Sequence, residues 1–536
     1  MSHTCTLEKF FNTAGPIIPD DHYYISSFER LDWEEIQHLI AQKRYFLLHA
    51  PRQTGKTSAL LEMMHALNSA GEYAVLYANI EGAQVSRNNI VSGISTVCNV
   101  ICDSARLYLN EERLTVWYLE NRKKLEAENL LKSILAHWAE ISDRPTVLFL
   151  DEADALVGDT LISLLRQIRS GYNQRPGSFP QSIVLCGLRD IKDYRIHRSD
   201  GDIITGGSAF NIKAKSLRLG NFIFAEVEAL LLSHTKATGQ VFEEGILDEI
   251  WLDSSGQPWL VNALAHEMTW EDKSARDRGK PITLRQYRAA RERLINSRAT
   301  HLDQLADKLQ EPRVHRVIAS LLSDGSTEKI LSDDLQYVED LGLVIARPQL
   351  RIANRIYREI IPRELTWVSQ SLIAMDELWY ITEDNRLDMP KLMSAFQQFF
   401  RENAESWIER FDYKEAGPQL MMQAFLQRVV NGGGRINREY GLGRKRTDLI
   451  IEWPIDKKKG YYGPVQRIVI ELKILRGNLE TVIKKGLEQT IEYADKLNAD
   501  EAHLVIFNRD PELSWEKKIW NERRNYREKI IHVWGS

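Results

Sequence analysis

Tyr45 to Leu61, YFLLHAPRQTGKTSALL, decides how this chain is read: an apolar run passes into a loop of small residues and then into a helical pattern. Ala50, Pro51, Arg52, Gln53, Thr54, Gly55, Lys56 and Thr57 have the spacing of a phosphate-binding loop, which is Ala or Gly, four residues, then Gly-Lys and Ser or Thr. Such a loop turns successive backbone N–H groups, and the first turn of the helix that follows, here with Ser58, toward a polyphosphate. Gly55 allows the backbone a close approach. Lys56 would reach the β- and γ-phosphate oxygens, and the Thr57 hydroxyl would ligate the Mg2+ that bridges them, which makes ATP with Mg2+ the expected cofactor. Ala50 stands where glycine is commoner, a departure that an ordinary backbone conformation tolerates. The alternative is a strand–turn–helix with no ligand.

A second landmark lies about ninety residues on, where TVLFLDEAD at 146–154 runs an apolar strand directly into carboxylates. This is the form of a Walker B motif. Strands buried in a parallel sheet are apolar throughout and ligands sit at their carboxyl ends, so Asp151 is expected to hold Mg2+ and Glu152 to polarise the attacking water. The structural alternative is a helix cap. SIVLCGLRD at 182–190 is another such strand. Cys186 falls where a γ-phosphate sensor would stand, and since a thiol serves that role poorly, Arg189 is the better candidate for the phosphates, against a plain salt bridge.

At 536 residues the chain should hold roughly three or four domains. No uncharged apolar run of about 18 residues occurs, and MSHTCTLEKFF lacks the layout of a secretory signal, so no membrane association and a cytoplasmic location are expected. Four cysteines without a C-x-x-C pair suggest neither zinc nor a disulfide framework. A net charge of −5 excludes a chain that coats nucleic acid indiscriminately, so any such contact must come from a local basic surface. There is no internal repeat and no low-complexity segment.

In chain order, residues 1–43 form a lead-in with an amphipathic helix in SFERLDWEEIQHLIAQKR, and a helical layer is expected from about 90 to 140. SLRLGNF offers a fifth strand, and FAEVEALLLSHTKATGQ through SSGQPWLVNALAHE reads as a helical lid. Taken jointly, RQTGKTS, LFLDEAD, GLRD, the LRLGNF-to-TGQ stretch and GQPWLVNALA resemble the prokaryotic AAA-like P-loop ATPases related to the STAND signalling class, over residues about 20 to 300. The resemblance implies a five-stranded α/β core with a lid, nucleotide between them, self-association, and control by a protein trigger. Residues 301–365, with a hairpin expected at Leu343 to Ile352, are similar to the winged-helix module that follows the lid in those ATPases, where it clamps the ATPase more often than it reads DNA. Residues 366–410 read as a helical linker.

The last 120 residues carry a second chemistry: Asp448 in KRTDLIIEW, then Glu471 and Lys473 in RIVIELKIL. A Glu and a Lys two apart are ordinary on a solvated strand. Both stretches alternate, however, with Asp448, Ile450 and Glu452 on one face of the first strand and Val469, Glu471 and Lys473 on one face of the second. If the polar connection Pro454 to Gly463 is a hairpin centred near Gly460, Asp448 lies across from Glu471 to Lys473, within about 5 Å. Carboxylates to hold Mg2+, a metal to generate hydroxide and a lysine to orient the water are what phosphodiester hydrolysis requires, and Leu472 would add its carbonyl as a ligand.

This trio resembles the PD-(D/E)XK nuclease superfamily, over about 411–536. Gln489 and Tyr493, four apart in EQTIEY, agree with its RecB-like branch, as does Glu415 ahead of the helix LMMQAFLQRVV, although an acid near a helix N-terminus needs no function. The resemblance implies Mg2+ at this site, with Mn2+ as a substitute. From Asn431 to Arg476 there are eleven Lys and Arg against five Asp and Glu, including Arg444, Lys445, Arg446 and Lys457 to Lys459. Such a basic surface suits a phosphate backbone; the alternative is a solvated loop.

The expected protein is thus a multidomain α/β chain: lead-in 1–43, P-loop ATPase with lid 44–300, winged helix 301–365, helical linker 366–410 and a restriction-endonuclease-like α/β domain 411–536. Its expected activity is ATP-dependent or ATP-regulated, Mg2+-dependent cleavage of nucleic acid, DNA before RNA, with a role in defence or a mobile element by analogy. The rival is a nucleotide-gated binding or signalling module whose nuclease-like domain holds nucleic acid without cutting it.

Overall fold

The computed structural model describes residues 8–189, 195–197, 203–205, 211–297, 307–309, 311–322, 330–361, 379–410, 421–423, 425–426, 434–439, 448–456, 459–508, 510, 512–527 and 529–536. The chain divides into two units, Met1–Arg298 with Gln336–Ile345, and Ala299–Leu335 with Ala346–Ser536.

The first unit opens with two short strands, β1 (Phe10–Phe11) and β2 (His22–Tyr23), paired in parallel. Phe11 and Tyr23 are buried against His234 of the helix Phe224–Thr238. The single lead-in helix expected from the sequence is two, Ser27–Arg30 and Trp33–Ala41, because Leu31 is extended and the Asp32 side chain accepts from Glu35 N to start the second.

The main sheet has five strands, β3 (Tyr45–His49), β4 (Ala74–Asn79), β5 (Thr146–Asp151), β6 (Ser182–Gly187) and β9 (Lys213–Arg218), in the order β4-β5-β6-β3-β9 and all parallel. A small antiparallel pair, β7 (Arg195–His197) and β8 (Ile203–Thr205), lies between β6 and β9 in the chain. Strands β3, β4, β5 and β6 are apolar along their length because helices cover both faces. Phe46, Leu48, Val75, Val147 and Phe149 pack on Leu60, Met63, Met64 and Leu67 of the helix Lys56–Ala70. Their neighbours Leu47, Leu76, Leu148 and Leu150 face the helices Ile90–Leu109, Ala127–Ile141 and Gly158–Gly171. Ile90–Leu109 is long and apolar enough to cross a membrane by composition, but its Ile94, Val97, Cys98 and Ile101 are buried in this core. The lid comprises the helices Phe224–Thr238, Ile246–Ser254, Pro258–His266 and Leu284–Asn296.

Of the stretch read as a winged helix, the structure shows the helices Pro312–Leu322 and Ser332–Asp340, the latter crossing from one unit to the other, and the strands β10 (Val344–Ile345) and β11 (Arg351–Ile352).

The second unit is built on a six-stranded mixed sheet of β12 (Arg435–Glu439), β13 (Asp448–Pro454), β14 (Val465–Ile474), β15 (Glu501–Phe507), β16 (Trp520–Tyr526) and β17 (Lys529–Gly535), in the order β12-β13-β14-β15-β17-β16. β14, β15 and β17 are parallel and the other pairs antiparallel. The helix Leu479–Leu497 joins β14 to β15 and packs Ile483, Leu487, Ile491 and Ala494 on one face of the sheet. Gly486 lets it come close: a Cβ there would lie 2.7 Å from Leu504 Cδ1. The other face takes Leu392, Met393, Phe396 and Phe400 of the helix Met389–Arg410. That helix belongs to the sheet's core, so residues 389–410 do not form the connecting linker expected from the sequence. Their apolar spacing records burial against β13 and β14.

Candidate functional sites

In the first unit the loop 50–57 runs from the carboxyl end of β3 into the helix Lys56–Ala70. Two of its residues take left-handed backbone conformations, Gln53 with φ 57° and Gly55 with φ 91°. Alternation of this kind curls a chain into a concavity lined by N–H groups. Thr54, 0% exposed, braces the turn through its hydroxyl, which donates to Pro51 O at 2.8 Å. Lys56 lies across the loop, its ammonium donating to Ala50 O at 3.1 Å and Pro51 O at 3.2 Å. Arg52 is exposed, and the Ser58 hydroxyl accepts from Ile17 N of the lead-in at 2.9 Å.

Asp151 ends β5, which β6 separates from β3, and is fully buried. Its Oδ2 accepts from Thr57 Oγ1 at 2.7 Å and from the Tyr77 hydroxyl at 3.0 Å. The two residues expected to share Mg2+ therefore meet. Among the described residues no group of three or more His, Cys, Asp or Glu could hold a metal. Two hard oxygen ligands fit Mg2+, which takes few protein ligands and completes its shell with water and phosphate oxygens.

Glu152 follows with φ 56° and ψ 40°, a left-handed conformation that a non-glycine residue adopts at a cost. Burial raises its carboxyl above the ordinary range, Lys56 opposing and Asp154 and Asp151 reinforcing the shift. Such a group is tuned toward proton acceptance nearer neutrality.

The third strand end departs from the expectation. Cys186 is fully buried beside Asp151, and burial pushes its thiol well up, the Asp151 charge and a hydrogen bond with that carboxylate adding to the shift and Lys56 opposing it. Leu188 N donates to Asp154 Oδ2 at 3.3 Å. Arg189, expected at the phosphates, instead pairs with Asp340 Oδ2 at 3.3 Å and lies over the Tyr337 ring at 4.8 Å. Asp340 comes from a helix distant in sequence, a partner that no local spacing announces. Tyr77, Arg30 and Gln257 were also missed. Tyr77 carries a signal as a phenol near the carboxyl end of an apolar strand, and Gln257 as part of GQPWLVNALA.

In the second unit β13 and β14 pair so that Asp448 is directly opposite Glu471. The strand alternation sends Leu449, Ile451, Trp453, Ile470 and Leu472 to the face of the Met389–Arg410 helix. Glu471 and Lys473 hold the intervening positions of β14, on the face of the helix Leu479–Leu497, which carries Gln489 and Tyr493. Glu471 is 1% exposed and its Oε1 accepts from the Lys473 ammonium. Gln489 is buried and Tyr493 half-buried, with the Lys496 ammonium 5.6 Å from the Tyr493 ring centre. Leu472 is buried in the core of the opposite face. Glu415, the basic residues 444–446 and 457–458, and the side chain of Asp448 lie outside what the structure describes.

No protein-family model matches the chain, and no curated protein matches it. Among solved structures, a Walker-type ATPase of Pyrococcus abyssi is 14% identical over 66% of this chain and 99% of its own, with a TM-score of 0.45. Cdc6p of Pyrobaculum aerophilum is 15% identical over 64% and 96%, at 0.35. The RuvB Holliday junction branch migration motor of Thermotoga maritima is 14% identical over 63% and 98%, at 0.33. Likenesses of this degree carry no argument about what the chain does. The parallel sheet, the loop after β3 and the Thr57–Asp151 contact stand on their own geometry.

Proposed function

We propose that the chain is an ATP-binding and ATP-hydrolysing protein coupled to a Mg2+-dependent nuclease, with DNA as the favoured substrate. The observation that carries the first half is the 2.7 Å contact between Thr57 and Asp151, which joins the helix after the loop to the end of β5 where a Mg2+–triphosphate would sit. Lys56 would turn from the loop carbonyls to the phosphates, and Glu152 would take the proton of the attacking water.

The second half is supported by the Asp448–Glu471 register with Lys473 beside Glu471. Carboxylate oxygens on neighbouring strands are ligands of the right hardness for Mg2+, whose role when bound is to activate water and to offset charge at phosphorus. The Lys473 ammonium would orient that water, and Gln489 and Tyr493 would line the approach.

One experiment tests both halves: cleavage of plasmid and single-stranded DNA with Mg2+, with and without ATP, by wild type, Lys56→Ala and Asp448→Ala. Metal-dependent cleavage abolished in Asp448→Ala, while that variant still turns over ATP, is the expected result. Cleavage that survives Asp448→Ala would leave the second sheet with nucleic-acid holding alone.

A further inference from the structure

Two side chains from outside the phosphate loop hold successive loop carbonyls. Arg30, at the end of the short lead-in helix, donates from Nη2 to Thr54 O at 2.8 Å. Gln257, just ahead of the lid helix Pro258–His266, donates from Nε2 to Gln53 O at 3.4 Å. The orientation of the Gln257 amide is set at its other end, where Oε1 accepts from Leu260 N at 2.6 Å.

A trans peptide carries its C=O and the following N–H on opposite sides. Holding Thr54 O outward therefore aims Gly55 N–H inward, and holding Gln53 O aims Thr54 N–H the same way. These are the groups that a polyphosphate must find. The left-handed conformation of Gln53, a non-glycine residue, carries a cost, and external donors offset it.

The two braces are also joined to each other. The Arg30 guanidinium lies 4.8 Å from the Phe222 ring centre and donates to Gly220 O. Phe222 N in turn donates to Gly256 O at 2.9 Å, next to Gln257. Gly256 cannot be anything larger, since a Cβ there would lie 2.0 Å from Phe222 O. Arg30 Nη1 is 3.3 Å from where a Cβ on Gly55 would be, so its positive charge stands at the loop itself. Glu226, whose charge acts on Arg30, accepts from Ile223 N at 2.7 Å.

We propose, resting on the nucleotide reading above, that Arg30 and Gln257 are positioning residues for the phosphates: they hold the Gln53–Thr54–Gly55 peptides with their N–H groups turned inward. Both braces act on the phosphates and not on the nucleoside.

The test is equilibrium binding of MgATP and of Mg-tripolyphosphate, which has no base or ribose, to full-length wild type, Lys56→Ala, Arg30→Met, Arg30→Lys and Gln257→Met. Loss of one charged hydrogen bond predicts that Arg30→Met weakens both ligands by roughly tenfold, and loss of a neutral one that Gln257→Met weakens both by roughly threefold. Arg30→Lys, which keeps the charge, should fall between wild type and Arg30→Met. Weaker MgATP with unchanged tripolyphosphate would mean that Arg30 acts on the nucleoside and would overturn the proposal, as would unchanged binding of both. If Arg30→Met misfolds, Gln257→Met carries the same decision from a different element. Wild type that binds neither ligand would sink the nucleotide reading, and the bracing role with it.

Discussion

Asp151 in the first unit and Glu471 in the second are both carboxylates sealed near the carboxyl end of a buried strand, 0% and 1% exposed, yet their surroundings answer the charge differently. Asp151 is met by two neutral hydroxyls, Thr57 and Tyr77. Hydroxyls orient a carboxylate without cancelling its charge, which suits the proposed role of receiving a cation with its ligand. Glu471 is met by an ammonium two residues along its own strand. A buried carboxylate with a lysine on it is electrically closed, and a metal that enters must share Glu471 with Lys473. The difference teaches that the first site is poised by hydrogen bonding, and the second by an ion pair whose loss would be felt by the fold as well as by the chemistry.

The largest expected effect breaks or secures that contrast directly. Lys473→Met should abolish cleavage and, by leaving Glu471 buried without its cation, destabilise the second unit by about 3–5 kcal/mol. Adding Glu471→Gln should recover most of the stability and none of the cleavage, as denaturant titration of the single and double variants would reveal. A Lys473→Met protein as stable as wild type would show that Glu471 does not depend on the pair.

Next comes Glu152→Gln, which should keep ATP binding and lower turnover by about 10²–10⁴-fold. Because burial raises the Glu152 carboxyl, its base form disappears on acidification sooner than for an exposed glutamate. Turnover should therefore fall, as pH is lowered, at a pH above the ordinary glutamate value of about 4.3. A wild-type rate profile with its acid limb at or below that value would remove Glu152 from the role.

A smaller effect sharpens the contrast from the first unit's side. Thr57→Val removes one of the two hydroxyls on Asp151 and should cost about 0.5–1.5 kcal/mol of stability, far less than Lys473→Met, while raising the Mg2+ concentration needed for turnover. Equal destabilisation by the two variants would erase the distinction between the sites.

The smallest effect is graded. Charge reversal at Arg444, Lys445, Arg446 or Lys459, one residue at a time, should each reduce the slope of log affinity against log salt by roughly one unit, alike for all DNA sequences. A sequence-dependent weakening would assign the reversed residue to base readout.

The two sites were also legible to different degrees. The phosphate loop occupies eight consecutive residues, and its Gly-Lys-Thr spacing carries most of the geometry because the loop's shape is local. The second site needed a register. Asp448 and Glu471 are 23 positions apart, and only strand alternation about a polar connection brings them together; the observed Asp448–Glu471 pairing centres within a residue of Gly460. Arg189 shows where such reasoning stops, since its partner Asp340 is 151 positions away on another element. The helix Met389–Arg410 shows the same limit, because an amphipathic pattern records that one face is buried without naming what buries it.

By itself the sequence determined the elements whose physics is local or periodic. These are the loop that turns N–H groups inward, the apolar strands that demand cover on both faces, and the alternating strands that place Asp448, Glu471 and Lys473 on one side. The tertiary structure alone decided which carbonyls Arg30 and Gln257 hold, that the Cys186 thiol is buried beside Asp151, and that Lys473 rather than solvent neutralises Glu471. Those outcomes depend on contacts between residues far apart in the chain. No spacing encodes such contacts, because each is selected by the burial of many other side chains at once.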